Sequence, residues 1–337
     1  MKILLVCNYK PGVGGISGQV EILQRKLREE GHVAEIFSTK ASPWRRLWMM
    51  SKLRRKAMDY EVLHIHCCSS WGFLPAVMGI TVGKRLGKRV VLTYHGGGGE
   101  LFFDRHPRLV RRYLTQTDVN IVLSGFLAKV FEKHRLPYTV IPNIIELDDR
   151  HFRLRPSVRP AFICTRAHEP LYNIPCILKA FQRVQEILPE ASLMLVGDGS
   201  QHRQLMRQAN EMQLKHVDFV GKVDNKDIYH YLAQADIMLS APAADNMPVS
   251  LLEAMNAGLL VISSKVGGVP YLIEENKTGL LFESDKDEEL ATKMLWAVYH
   301  QNSVEDIILK ANQKVCDYRW ENVKVKLLMV YEHHLGL

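Results

Sequence analysis

The chain has 337 residues, 47% hydrophobic and 24% charged, with six cysteines and a formal net charge of +8. At about 150 residues per domain the length accommodates two domains with their own cores, and the composition excludes a fibre, a disulfide-stapled miniprotein and a disordered chain. The charge is unevenly placed: residues 1–150 carry 24 Lys and Arg against 13 Asp and Glu, the remainder 20 against 23, so the first half is suited to an anionic partner, either a phosphorylated ligand or a membrane surface.

In chain order, a β-rich run at Lys2–Cys7 leads into a glycine-rich stretch, Pro11–Gly18, and a helical stretch from Gln19 to about Glu30. Apolar runs follow at Val33–Phe37, Val62–His66, Val90–Tyr94, Val119–Ser124 and Thr139–Ile141, separated by helical or basic segments. Such alternation predicts a parallel sheet with helices on both faces. Around Pro142–Pro160 the pattern lapses into charge, Glu146–Arg155, and a domain boundary is placed there. A second series of strands is read at Ala161–Cys164, Ser192–Val196, Val217–Val220, Ile237–Ser240 and Leu259–Ser263. Residues from Asp285 onward read as helices. The expected fold is α/β, two Rossmann-like doubly wound domains facing a cleft, at 1–150 and 151–318, with a C-terminal helix at 319–337 that could return to the first domain.

The loop Gly12-Val-Gly14-Gly15-Ile-Ser17-Gly18 misses the dinucleotide fingerprint because Ser17 stands at its last position, and no acidic residue closes the second strand for a ribose. Its glycines still let backbone N–H groups approach an anion at a helix start, although a plain strand-to-helix turn would read the same. In the second half, Asp245-Asn-Met-Pro-Val-Ser-Leu-Leu-Glu253 follows a strand and opens a helix. Pro248 suits the first turn, Asp245 falls in the loop, and Glu253 lies more than a turn inside. Amides near Val249 and Ser250 would suit a diphosphate. Downstream stand Val266-Gly267-Gly268 and Thr278-Gly-Leu-Leu-Phe282.

With these residues the chain resembles the retaining group-1 glycosyltransferases (glycosyltransferase family 4) of GT-B fold, over nearly its whole length. Asp245 takes the first position of the family's E-x7-E pattern, Glu253 the second, and Gly267-Gly268 the later turn. The resemblance implies an acceptor-binding first domain and a nucleotide-sugar-binding second one. It implies that Glu253 accepts hydrogen bonds from the donor ribose, that Asp245 holds hydroxyls of the transferred sugar, and that Asn246, Met247, Pro248, Val249 and Ser250 meet sugar and phosphates. Gly197 and Gly199, with Lys222 and Val223, would line the base pocket, and Gly14 and Gly15 would face the diphosphate. His95 matches a histidine near the reaction centre. Relatives carry an Arg and a Lys that grip the diphosphate; here Arg166 is kept and Tyr172 or Asn173 occupies the Lys neighbourhood. Arg166, Asp245 and His95 are the candidate catalytic residues, and no metal or cofactor is expected. The donor is expected to be UDP-linked and the acceptor a lipid-linked or cell-envelope saccharide. Glycosyl transfer would pass through an oxocarbenium-like state, with the leaving diphosphate stabilised by Arg166, the helix start near Val249 and the Gly14-Gly15 loop. Two alternatives stand beside this reading: a catalytically idle nucleotide-sugar-binding partner of another transferase, and a nucleotide-sugar epimerase.

Other features have competing readings. His64-Ile-His66-Cys67-Cys68 would align His64, His66 and Cys68 on one strand face, as metal ligands or as a buried strand end. Glu100 or Asp104, after the glycines that follow His95, could position an acceptor. Residues 41–58 hold six basic residues, no acid, Trp44 and Trp48, and could meet an anionic membrane surface or form a solvated basic helix. No nucleic-acid-binding module is recognisable. No apolar run approaches the roughly 18 residues of a spanning helix. Ile3–Cys7 is too short for a secretory signal and the cysteines lack C-x-x-C spacing. The expected location is cytoplasmic, at most peripheral at the inner face of the membrane.

Overall fold

A computed structural model describes residues 1–11, 15–40, 46–146 and 151–332. The chain divides into two units, Met1–Glu146 with Tyr318–Leu337, and Leu147–Asp317. In the first, strands β1 (Lys2–Cys7), β2 (Val33–Ser38), β3 (Val62–Cys67), β4 (Arg89–Tyr94), β5 (Val119–Val122) and β6 (Thr139–Val140) form a parallel sheet in the order β2-β1-β3-β4-β5-β6. Helices α1 (Ile16–Glu29), α2 (Arg46–Ala57), α3 (Leu74–Arg85), α4 (Gly99–Arg105), α5 (Pro107–Leu114) and α6 (Gly125–Lys133) connect them. β3 is buried along its whole length, because a central parallel strand is covered on both faces. Leu63 and Ile65 point into a core shared with Leu53, Ile80 and Phe103, whereas Val62 points into an opposite core with Leu23 and Val91.

The second unit holds β7 (Ala161–Cys164), β8 (Ser192–Val196), β9 (Val217–Gly221), β10 (Ile237–Ser240), β11 (Leu260–Ser264) and β12 (Leu280–Phe282) in the order β12-β11-β10-β7-β8-β9. Its helices are α7 (Ile174–Ile187), α8 (His202–Glu211), α9 (Ile228–Leu232), α10 (Val249–Asn256), α11 (Val269–Leu272), α12 (Asp287–Tyr299) and α13 (Gln301–Val315). This is the Rossmann strand order, and the order reverses between β7 and β10, so the loops leaving those strands border the unit's natural ligand crevice. The sequence pattern did not assign β12, a three-residue strand too short to show a period.

The last helix, α14 (Trp320–Glu332), belongs to the first unit: Trp320, Val323, Leu327, Val330 and Tyr331 are buried with Ile3, Leu5 and Val91. Arg89 Nε also donates to the Val330 carbonyl at 2.7 Å. The charged stretch after residue 150 anchors to the second unit without a strand. Arg153, Arg155 and Arg159 converge on the buried carboxylate of Asp236 at 2.7, 3.0 and 2.8 Å. Burial pushes the Arg155 guanidinium down to about 10, and the hydrogen bonds from Arg159 help hold the Asp236 carboxyl below its ordinary value. An unpaired carboxylate there would be costly, which is why so much charge gathers on a single buried acid.

Candidate functional site

In the second unit, β7 and β10 lie side by side, pairing Phe162 with Ile237 and Ile163 with Met238. The loops after them therefore emerge together, one carrying Arg166 and the other Asp245. Arg166 is only 8% exposed. Its Nη1 donates to Ser250 Oγ at 2.8 Å, its Nη2 donates to Asp245 Oδ2, and its guanidinium lies 4.2 Å over the Tyr172 ring. The guanidinium Nε has no protein partner among the described residues. Tyr172 thus contributes a π face beneath the cation rather than a second charge. Asn173 adopts a left-handed backbone (φ 47°) and donates to Asp285 at 2.5 Å. Asp285-Lys286-Asp287 does spell D-x-D, but Asp287 pairs with Arg183 at 3.0 Å, so both carboxylates have protein partners at the start of α12.

Pro248 stands just before α10 rather than in its first turn, in extended backbone, and Val249 opens the helix. The Val249 and Ser250 amides have no carbonyl four residues back within the helix, and the positive end of α10 lies there. Glu253, one turn in, is partly buried, and burial pushes its carboxyl up to about 7 while the Arg166 charge pulls it down. Asp245 Oδ1 accepts from the Asn246 amide at 2.8 Å, which fixes the loop. Asn246 and Met247 are buried.

Two glycine turns support this cluster by close approach. A Cβ on Gly268 would lie 1.7 Å from the Asn246 carbonyl oxygen, and one on Gly267, whose φ is 50°, 2.0 Å from that of Asp245. The Gly268 amide donates to the Asp245 carbonyl at 2.9 Å, so the V-G-G turn is a backbone brace for the acidic loop. A Cβ on Gly197 would meet the Arg166 carbonyl at 2.3 Å, and one on Gly199 the His168 carbonyl at 2.6 Å. Lys222 and Val223 follow the edge strand β9, tied in through the Gly197 amide and Gly221 carbonyl at 2.9 Å. Beside that turn is a pair the sequence reading missed: His168 and His202 stack at 4.9 Å, their Nδ1 atoms 2.8 Å apart, with Phe219 against both rings. No local signal pairs them: His168 follows β7 and His202 opens α8, 34 residues apart in sequence.

In the first unit, His95 follows β4 and its Nε2 lies 3.0 Å from His66 Nδ1. His64 Nε2 and Nδ1 bond Thr93 Oγ1 and Tyr331 Oη, each at 2.7 Å. In this ladder of rings His64 is satisfied at both nitrogens, whereas the buried Nε2 of His66 has no partner among the described residues; no cluster of His, Cys, Asp or Glu among them has the geometry to hold a metal ion. Burial pushes His95 down to about 4 and His64 down to about 3, so both are neutral near pH 7. A cavity of about 40 Å³ behind them is lined by Gln19, His64, His66, Thr93, His95 and Asn143, room for a few ordered waters. Cys68 lies beyond the strand and does not join the ladder. Glu100 and Asp104 are exposed and pair with Lys133 at 3.0 and 2.8 Å. Gly15 precedes α1 with φ 68°, a conformation that favours glycine; Gly14 lies outside the described residues. Residues 41–45 also lie outside them; the described part of the 41–58 segment is α2, whose Leu53 and Ala57 turn into the core. No helix among the described residues is long and apolar enough to cross a membrane.

The second unit matches the family model described as glycosyl transferases group 1 over residues 148–314, and the first that of glycosyltransferase family 4 over residues 20–149. N-acetyl-alpha-D-glucosaminyl L-malate synthase of Bacillus anthracis is 26% identical over 91% of this chain and 95% of its own. Phosphatidyl-myo-inositol mannosyltransferase of Mycolicibacterium smegmatis is 23% identical over 98% of this chain and 94% of its own. Among solved structures, Anabaena HepE in complex with UDP-glucose covers 100% of both chains with a TM-score of 0.79 and 19% identity. Sucrose-phosphate synthase from Thermosynechococcus elongatus covers 98% of both with a TM-score of 0.82 and 17% identity. At those identities the structural likeness speaks for the fold.

Proposed function

Since the chain belongs to the group-1 glycosyltransferases and has their two Rossmann-like units, we propose that it moves a sugar from a UDP-linked donor to a lipid-linked or cell-envelope saccharide, with retention and without a metal. The observation that carries this reading is the Arg166 guanidinium, held by Tyr172, Ser250 and Asp245 at the positive end of α10. When the bond to the sugar breaks, negative charge grows on the departing diphosphate. Arg166 and the first-turn amides of α10 are donors fixed before that charge develops, so little reorganisation is needed. Asp245 is pre-oriented by its own loop amide to take sugar hydroxyls. Glu253 presents a carboxylate for ribose hydroxyls, and the Gly197–Gly199 turn brings backbone close to the base. On the first unit, neutral His95 offers a hydrogen bond to sugar or phosphate. Structural neighbours in complex with UDP and UDP-glucose support the donor, and relatives named for phosphatidyl-inositol mannosylation support a lipid-borne acceptor. A cytoplasmic enzyme, peripheral at the inner face of the membrane, fits the basic first unit.

Incubation with UDP-sugars and chelator, followed by NMR of the product anomer, tests the reading. The expected result is sugar transfer or donor hydrolysis with retained configuration and no dependence on added metal. The alternative of an idle nucleotide-sugar-binding partner draws on Tyr172 standing where relatives carry Lys; it predicts donor-induced thermal stabilisation with no hydrolysis. Wild-type transfer by Asp245→Ala would refute the assignment of the acidic loop.

A further inference from the structure

Two concavities flank α5 in the first unit. One is an apolar groove of about 340 Å³, lined by Trp71, Phe73, Leu74, Phe102, His106 and Leu109 among others. The other is a hollow of about 260 Å³ lined by Arg111, Lys133, His134 and Arg135 together with Pro107 and Val110. α5 itself explains the division. At about 100° per residue its buried residues, Val110 and Leu114, lie about 40° apart, which turns Arg108 and Arg112 outward. Leu109 then falls on the flank toward the groove and Arg111 on the flank toward the hollow. Trp71 is 76% exposed and Leu109 39%, a large apolar outlay beside a row of cations.

The charges are available. Arg105, Arg108, Arg111 and Arg135 have no acidic partner among the described residues, and Arg112 lies over Tyr113 at 5.8 Å. The carboxylates of neighbouring helices are already taken: Glu100 and Asp104 by Lys133, Asp104 also by His134 at 3.1 Å, and Glu132 by Tyr138. Both walls of the groove grow from the carboxyl end of the sheet that bears His95. The turn Ser70–Phe73 follows β3, and α4 follows the glycines after His95. The two loops are joined where Ser69 Oγ meets Tyr94 Oη at 2.8 Å. On α2, by contrast, Leu53 and Ala57 are buried and Lys56 is tied to Glu35 at 2.6 Å, while Lys52, Arg54, Arg55 and Trp48 are exposed; the apolar groove beside the cations is what favours α5.

We propose that the α5 face docks on an anionic bilayer, with Trp71 and Leu109 entering the boundary between headgroups and chains, and Arg108, Arg111, Arg112 and Arg135 taking lipid phosphates. This rests on the reading that the acceptor is lipid-borne, because it sets the His95 end of the sheet beside the membrane that would hold it. A tryptophan at that boundary keeps its ring in an apolar setting and its N–H wet.

The test uses the full chain with vesicles of phosphatidylcholine, alone or mixed with phosphatidylglycerol. The expected result is co-sedimentation with the mixed vesicles alone, weakened roughly thirtyfold by Arg108→Gln with Arg112→Gln, or about fivefold per arginine. Brominated chains in the mixed vesicles are expected to quench tryptophan emission in the wild type and in Trp48→Phe, but not in Trp71→Phe. Equal pelleting by both vesicles, no pelleting, or full quenching retained in Trp71→Phe would each overturn the proposal. Donor hydrolysis in solution, measured on the same variants, is expected to stay at the wild-type rate. A failure of hydrolysis in the wild type would count against the transferase reading, whereas a failure of vesicle binding alone counts against the docking face.

Discussion

Replacing Glu253 by Gln separates what this residue costs the fold from what it gives the ligand. Burial raises its carboxyl from 4.5 to about 7 in the folded unit, so between those values the folded state holds a proton that the unfolded state has lost. The neutral acid therefore supports stability fully below pH 4.5, and that support is lost as pH rises through 7. A shift of this size corresponds to about 3 kcal/mol, at 1.36 kcal/mol per pH unit. Gln stays neutral throughout, so Glu253→Gln should exceed the wild type by about 1 kcal/mol at pH 5 and about 3 kcal/mol at pH 8. In a unit spanning Leu147–Asp317, that is a Tm gain of about 6 °C or more at pH 8. At pH 8, where the Glu253 carboxylate is ionised, the same variant should bind UDP about tenfold more weakly, since a charge-assisted hydrogen bond to ribose becomes a neutral one. Differential scanning calorimetry at both pH values and isothermal titration with UDP measure the two effects. A Tm difference that does not widen between pH 5 and pH 8 would refute the reasoning.

Arg166→Ala should lower kcat for transfer by roughly 10²-fold or more while Arg166→Lys recovers part of it, because the lysine restores charge but not the fork that reaches Ser250 and Asp245 together; steady-state kinetics decide. Gly268→Ala, which drives a Cβ into the Asn246 carbonyl, should destabilise the second unit by about 3 kcal/mol and abolish UDP binding. Its counterpart Gly18→Ala, inside α1 with nothing within 4 Å of the new Cβ, should stabilise the first unit by about 0.5–1 kcal/mol; thermal denaturation of the two variants should shift in opposite directions. Tyr331→Phe removes the hydroxyl that meets His64 and should destabilise the first unit by about 1 kcal/mol or more, as read from urea unfolding.

Much of the second unit's site was legible before any coordinates. Asp245, Pro248 and Glu253 lie within one strand-loop-helix unit, and local spacing suffices to put an acid in a loop, a proline at the start of a helix and a second acid inside it; that Pro248 stands just before the first turn rather than in it was decided by the fold. Arg166 could be named, but its setting could not: that Tyr172 lies under it and Asp245 against it follows from β7 and β10 being neighbours, 79 residues apart in sequence for the Arg166–Asp245 pair. The His64-x-His66 spacing was legible as a shared strand face, yet its meaning depended on Tyr331, 267 residues from His64. Glu100 and Asp104 looked available near His95 because nothing local announces Lys133.

What the sequence determined alone is what short-range periodicity and composition encode: alternating strands and helices, the lapse near residue 150, the basic first half, and glycine and proline at turns. Tertiary structure alone decided which loops share a sheet edge and which charges cancel. Those outcomes depend on strand order and on contacts between residues distant in the chain, and neither leaves a local period to read. The contrast is sharpest on α5, where helical spacing sets Arg108 and Arg112 opposite Val110 and Leu114, but only the fold supplies a groove on one flank and a basic hollow on the other.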